Sequence, residues 1–144
     1  MRLLSIFCIY GLTVYLSVAQ QEYIKEEPHP GKYDCFTYAF TPNFRVDPSG
    51  LGNIDLDAKG NYKMLGYPSI KGTYKYDVAA NKITFKGGFL ATVPNEFKVL
   101  QDKKDGSKSY IIRFRISESE AKANKYGFGY LFSGEHQCFN GRIF

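Results

Sequence analysis

The residues able to do acid–base or nucleophilic chemistry are few and scattered. The chain has 144 residues but only two histidines, His29 and His136. Ser133, Glu135 and His136 lie close together in sequence. Neighbours on an extended segment point to opposite faces, however, and no nucleophile elbow surrounds the serine. This group reads as a solvated turn. Paired carboxylates can run glycoside hydrolysis, and Asp55 and Asp57 share one strand face. That face lies opposite Ile54 and Leu56 and belongs to water. Asp102 and Asp105 flank Lys103 and Lys104, which works against a calcium loop, and the EF-hand spacing is absent. Zinc-ligand spacing and a phosphate-cradling glycine loop are also missing. The expectation is a binding domain more than an enzyme, with no catalytic set, metal or cofactor. A barrel enzyme whose acid and base lie far apart in sequence is a further alternative.

Two other groups of side chains could bind rather than react. Twelve Tyr, twelve Phe and no Trp are the strongest compositional signal. On inward strand faces, Tyr33, Tyr74, Tyr76, Phe85, Phe114, Phe128 and Tyr130 can fill a small barrel completely. They can also line a pocket for a small apolar or aromatic ligand, with hydroxyls fixing its orientation. Lys71, Lys75, Lys82 and Lys86 fall on the outward side, and Arg113 and Arg115 form another pair. With a net charge of +5, such a face suits an anionic surface or polysaccharide. The simpler use of lysine there is solubility and protection against edge pairing. No specific nucleic-acid contact is expected.

The elements that position these residues read as hairpins. In the stretch from Gly72 to Gly88, Tyr74 and Tyr76 share a face in one arm, Ile83 and Phe85 in the other, and the lysines take the reverse side. This is the period of two that a half-buried sheet requires. Val78-Ala79-Ala80-Asn81 makes the turn, Asn tolerating positive φ. A second hairpin covers 54–65, with Asp57-Ala58-Lys59-Gly60 as its connection. A third covers 96–116 around Asp102–Gly106. The first strand runs from Gly31 to about Phe40, and 41–50 reads as a loop. Ser117 and Glu120 fit a capping box, predicting a short helix near 117–123. Tyr126–Phe132 reads as the last long strand, with four aromatics on one face and two glycines on the other, ahead of Gln137-Cys138-Phe139. Gly-x-Tyr recurs at Gly31, Gly60 and Gly72, each time as a strand opening. About eight strands at this turn spacing predict an all-β fold, a small antiparallel barrel or barrel-like sandwich.

Residues 1–19 read as a secretory signal peptide: Arg2, then an apolar run to Val18, then small residues before a cut after Ala19. The apolar run is shorter than the ~20 residues of a membrane span, so no transmembrane segment is expected after cleavage. Residues 20–30, with two prolines, read as a flexible leader, and 31–144 as one β domain. Loss of the signal removes Cys8 and leaves Cys35 and Cys138, an even count that predicts one disulfide in a secreted or periplasmic protein. Gly31-Lys32-Tyr33 stands where lipocalins carry Gly-x-Trp, with Arg142 as a closing arginine. In these positions the chain resembles the lipocalins, and the resemblance implies barrel architecture.

Overall fold

The alternation of apolar and polar residues produces one antiparallel sheet of ten strands. The computed structural model describes residues 21–39 and 45–141. The expected signal segment and Arg142 lie outside the described residues. The strands are β1 (Gln21–Ile24), β2 (Gly31–Ala39), β3 (Arg45–Pro48), β4 (Ile54–Leu56), β5 (Asn61–Met64), β6 (Tyr67–Asp77), β7 (Lys82–Lys86), β8 (Asn95–Asp102), β9 (Lys108–Ile116) and β10 (Gly134–Gly141). A 3-10 turn (Phe89–Ala91) follows β7, and helix α1 (Glu118–Ala123) follows β9.

Hydrogen-bonded neighbours run β1-β8-β9-β10-β2-β4-β5-β6-β7, with β3 also on β2. From β4 onward each strand pairs with the next, except that β7 and β8 share no ladder; β10 then returns to β2. The sheet therefore curls into a half-open barrel whose seam runs between β7 and the edge formed by β1 and the first half of β8. Rings pack across the interior from both sides of that seam, Phe85 of β7 against Phe114 of β9 at 5.8 Å and Tyr76 of β6 against Phe97 of β8 at 5.5 Å.

The three expected hairpins form. Tyr74 pairs with Phe85 and Tyr76 with Ile83, which puts all four on one face. Asn81 takes φ 50°, as the turn demands, and Gly60 takes φ 83° in the other connection. Asp57 holds that connection by accepting hydrogen bonds from the Lys59 and Asn61 amides and from the Asn61 side chain. Ser117 and Glu120 form a complete capping box at the start of α1. Cys35 and Cys138 are direct cross-strand partners on β2 and β10, and they are joined by a disulfide. With 103 residues of separation, the cross-link is worth about 4–5 kcal/mol on the chain-entropy account.

Four readings need correction. The segment 126–132 is no strand. Gly127 turns the chain at φ 70°, and the last strand is Gly134–Gly141. Alternating aromatics resemble a strand in sequence, but two glycines weaken its ladder and side-chain packing. Residues 21–24 of the expected leader form β1 on β8. The expected loop 41–50 contains β3 on β2. Gly72 lies inside β6 rather than opening it. A Cβ there would come within 2.2 Å of the Lys86 carbonyl oxygen, so the close approach of β7 requires glycine.

The meander sorts the connections to two ends. The turns at 57–60, 78–81 and 103–107 gather where β2 begins. The chain from Lys25 to Pro30 packs at that end, Glu26 on Lys108 and Tyr110 and the His29 carbonyl on Tyr33. We call this the leader end. The 3-10 turn, α1 and residues 124–133 gather at the other, the helix end.

Candidate functional site

The tyrosines expected to orient a ligand use their hydroxyls on the chain itself. Tyr33 donates to the His29 carbonyl oxygen at 3.0 Å, Tyr74 to the Asp57 carbonyl oxygen at 2.7 Å, and Tyr76 to Asn81 Oδ1 at 2.6 Å. Tyr110 donates to Glu26 Oε1 at 2.7 Å, and Lys108 pairs with the other carboxylate oxygen. All of these bonds lie at the leader end. Glu26 is held below the usual carboxylate range, chiefly by the Lys108 hydrogen bond and against some burial. Burial, helped by the Glu26 carboxylate it bonds, pushes the Tyr110 phenol up to about 12. Tyr33 is fully buried and its phenol is pushed far up by desolvation.

Of the expected ligand-lining residues, Tyr33, Phe85, Phe114 and Phe128 are buried, while Tyr74 and Tyr76 are half-buried. Phe85 sits at the centre of a ring cluster, 5.3 Å from Tyr62, 6.5 Å from Tyr74 and 5.8 Å from Phe114. The structure does not bring Tyr130 to them. It is 65% exposed, outside the barrel, against Phe132. Phe128 lies apart from the interior group, in a second ring cluster at the helix end. There it meets Tyr67 edge-on at 4.7 Å and Phe89 at 4.8 Å, and Phe89 in turn meets Tyr126 at 5.5 Å.

That second cluster floors a cleft. A space of about 430 Å³ opens to solvent between the 3-10 turn and α1, lined by Phe89, Thr92, Ser119, Glu120, Ala123, Lys125 and Tyr126. Its position follows from local sequence. Gly87 and Gly88, at φ 73° and 62°, turn the chain sharply out of β7 so that Phe89 and Leu90 fold over the barrel mouth. The Tyr62 hydroxyl fixes this turn, donating to the Gly87 carbonyl oxygen at 2.6 Å and accepting from the Leu90 amide at 3.3 Å. Asn124, at φ 33°, ends α1, and its side chain holds Phe128 through both of its backbone groups. The cleft combines two aromatic rings, three hydroxyls (Thr92, Ser119 and Tyr126) and one charge of each sign. Thr92 and Tyr126 donate to the Phe89 and Gly88 carbonyl oxygens, and the Glu120 carboxylate is held in the cap of α1. Among the described residues, this leaves the hydroxyl oxygens free to accept and Lys125 free to donate. The cleft can stack a flat apolar group and orient polar substituents at its edge. Phe89, Ser119 and Tyr126 were not legible as a site, because 88 and 126 meet only once the barrel has formed.

His136 differs from its reading as part of a solvated turn. It is completely buried, and its Nδ1 lies 2.6 Å from Ser49 Oγ. Its Nε2 faces the Phe132 carbonyl oxygen at 3.0 Å. A carbonyl can only accept, so Nε2 carries the proton and Nδ1 accepts from the serine hydroxyl. Burial holds this imidazole below its ordinary pKa and hence neutral, opposed in part by the Phe132 bond. A serine bonded to histidine is the arrangement of an activated nucleophile. Here the histidine's outer partner is a carbonyl, not a carboxylate, and the serine is only 6% exposed. Ser49 also accepts from the Leu51 amide. The pair ties the chain at 49–51 to β10 and to the 124–133 segment.

Other candidate carboxylates serve local structure. Asp55 pairs with Lys63, and Asp57 closes its turn. Asp102 accepts from the Lys104 amide and Asp105 from the Ser107 amide. Among the described residues, no group of three His, Cys, Asp or Glu is placed to hold a metal. No helix among them is long and apolar enough to cross a membrane. Lys71, Lys75, Lys82 and Lys86 are all exposed on the outer face of β6 and β7, as expected. Comparison with protein-family models, with curated proteins and with solved structures finds no match to this chain.

Proposed function

We propose that this chain is an exported, non-enzymatic binding domain that takes a small apolar or aromatic ligand at the helix end of its barrel. The cleft between the 3-10 turn and α1 carries the reading: about 430 Å³, with the Phe89 and Tyr126 rings in its wall and Thr92, Ser119, Glu120 and Lys125 around them. The interior rings touch one another, whereas the Phe89 and Tyr126 rings border an open space. The ligand-binding expectation therefore moves from the barrel interior to its mouth. Export rests on the sequence of residues 1–19, and the Cys35–Cys138 disulfide fits an oxidising compartment.

Titration with N-phenyl-1-naphthylamine, a neutral dye that brightens in apolar sites, tests the reading. The native protein should bind it saturably. Ala123→Trp, which fills the cleft from the exposed end of α1, should abolish the signal. Tyr126→Ala should weaken binding about tenfold, the worth of one well-placed aromatic contact. Absence of saturable binding, or binding that Ala123→Trp leaves intact, would overturn the proposal.

A further inference from the structure

The outer face of β6 and β7 carries a regular array that the cleft does not use. The register sets Thr73 opposite Lys86, Lys75 opposite Thr84, and Asp77 opposite Lys82. All six side chains are exposed, as is Lys71 two residues before Thr73. Antiparallel strands rise about 3.4 Å per residue and lie about 4.8 Å apart. Along the strand axis, lysines therefore recur about every 7 Å, alternating between strands in the order Lys71, Lys86, Lys75, Lys82, over about 20 Å. Threonine hydroxyls occupy the alternate corners. Among the described residues, no carboxylate lies within ion-pair distance of these four lysines, whereas Lys32, Lys63, Lys98, Lys103, Lys108 and Lys122 are all paired. Acid stands at both ends of the row: Asp77 closes one, and at the other Lys71 and Thr73 share an open cleft with Asp55, Asp57 and Lys63.

We infer that this zigzag is a binding track for a linear acidic polysaccharide lying along β6 and β7. Charge complementarity calls for an extended polyanion running with the strands, because the unpaired lysines repeat along β6 and β7, whereas across the sheet Lys63 of β5 is already paired with Asp55 of β4. Sugar hydroxyls find Thr73 and Thr84 between the ammonium groups. A single-stranded nucleic acid is the weaker fit. Such strands are held on aromatic platforms, and the outward residues here are only Lys, Thr and Asp. The inference stands independently of the cleft at the helix end.

Affinity chromatography on immobilised dextran sulfate, with salt elution, is the test. The fourfold variant Lys71→Gln, Lys75→Gln, Lys82→Gln, Lys86→Gln should weaken retention at least about tenfold, since each lost phosphate- or sulfate-type contact weakens polyanion binding. A control of equal charge, Lys59→Gln, Lys103→Gln, Lys104→Gln, Lys122→Gln, should bind as the native chain does. The double variant Thr73→Val, Thr84→Val should weaken dextran sulfate binding about threefold, the scale of modest hydrogen bonds. It should leave retention on a single-stranded oligonucleotide unchanged. All substitutions are at exposed positions, and circular dichroism confirms the fold of each variant. Equal loss in the charge control would reduce the effect to net charge and overturn the track. Unaltered binding in the threonine variant would overturn the sugar assignment. So would equal or tighter binding of the oligonucleotide, or of phosphatidylserine vesicles, with the same lysine dependence.

Discussion

At the leader end, four tyrosine hydroxyls reach fixed acceptors: Tyr33 the His29 carbonyl, Tyr74 the Asp57 carbonyl, Tyr76 the Asn81 amide and Tyr110 the Glu26 carboxylate. At the helix end the Tyr62, Tyr67 and Tyr126 hydroxyls are also bonded, to backbone of the turn and of 124–133. There, however, rings also meet rings, with Phe128 between Tyr67 and Phe89, and Tyr126 outside them. Both ends are rich in the same residue type, yet they offer a ligand different things. Oriented hydrogen bonds hold the Lys25–Pro30 chain in one place and leave few polar tips available. Edge-to-face packing is less directional, and it leaves Tyr126, Tyr130 and Phe132 partly in water. Aromatic excess alone therefore says little about binding. What matters is how much of each ring stays in water once its edge and tip have found partners.

The largest expected effect that tests this contrast is Phe128→Ala. Removing the ring at the heart of the helix-end cluster should cost about 3–5 kcal/mol in denaturant unfolding. Tyr33→Phe keeps the ring and removes one leader-end bond, so it should cost about 1 kcal/mol. If the two costs were reversed, the division between ring packing and hydroxyl bonding would be wrong.

Acid should separate the ends further. His136 has a folded pKa below its ordinary value because it is buried. Above about pH 6.5 it is neutral folded or unfolded and costs nothing. As pH falls below that, the unfolded chain gains a proton that the folded chain refuses, and stability drops. Glu26 also has a lowered folded pKa, through Lys108. Its contribution is present above the ordinary carboxylate value and disappears as pH falls through the folded one. Being part-exposed, it is worth about 1 kcal/mol or less. Hydrogen exchange should thus show amides around Phe132–Cys138 loosening between about pH 6.5 and 5, while those of Lys25–Tyr33 hold until lower pH. Simultaneous loosening would erase the distinction.

The smallest effect belongs to Tyr130→Ser. Its ring lies largely in water, so the change should stay within about 0.5 kcal/mol in thermal unfolding. A larger loss would mean that the exposed rings also hold the helix end together.

Much of this fold could be read from sequence, because hairpins are local. Tyr74, Tyr76, Ile83 and Phe85 face together as their spacing requires, and Ser117 with Glu120 caps α1 as four adjacent residues can. The disulfide followed from an even cysteine count. The misreadings occurred where long-range partners decide. Gln21–Ile24 is too short and polar to announce itself, and it becomes a strand only because β8 offers an edge. Tyr126–Phe132 carries a strand's alternation, but the barrel uses it as a lid in which only Phe128 is buried. Ser49 finds His136 across 87 residues, and no spacing rule connects them.

The placement of the disulfide has a consequence for how the molecule can be cut. Cys35 and Cys138 weld β2 to β10, and in the ring of strands this weld lies well around from the unlaced line between β7 and the β1–β8 edge. Cleavage of any single peptide bond between the two cysteines would leave both pieces covalently attached. A nick in the exposed Lys103–Gly106 turn would thus pass unseen by mass on a non-reducing gel and appear as two fragments only after reduction.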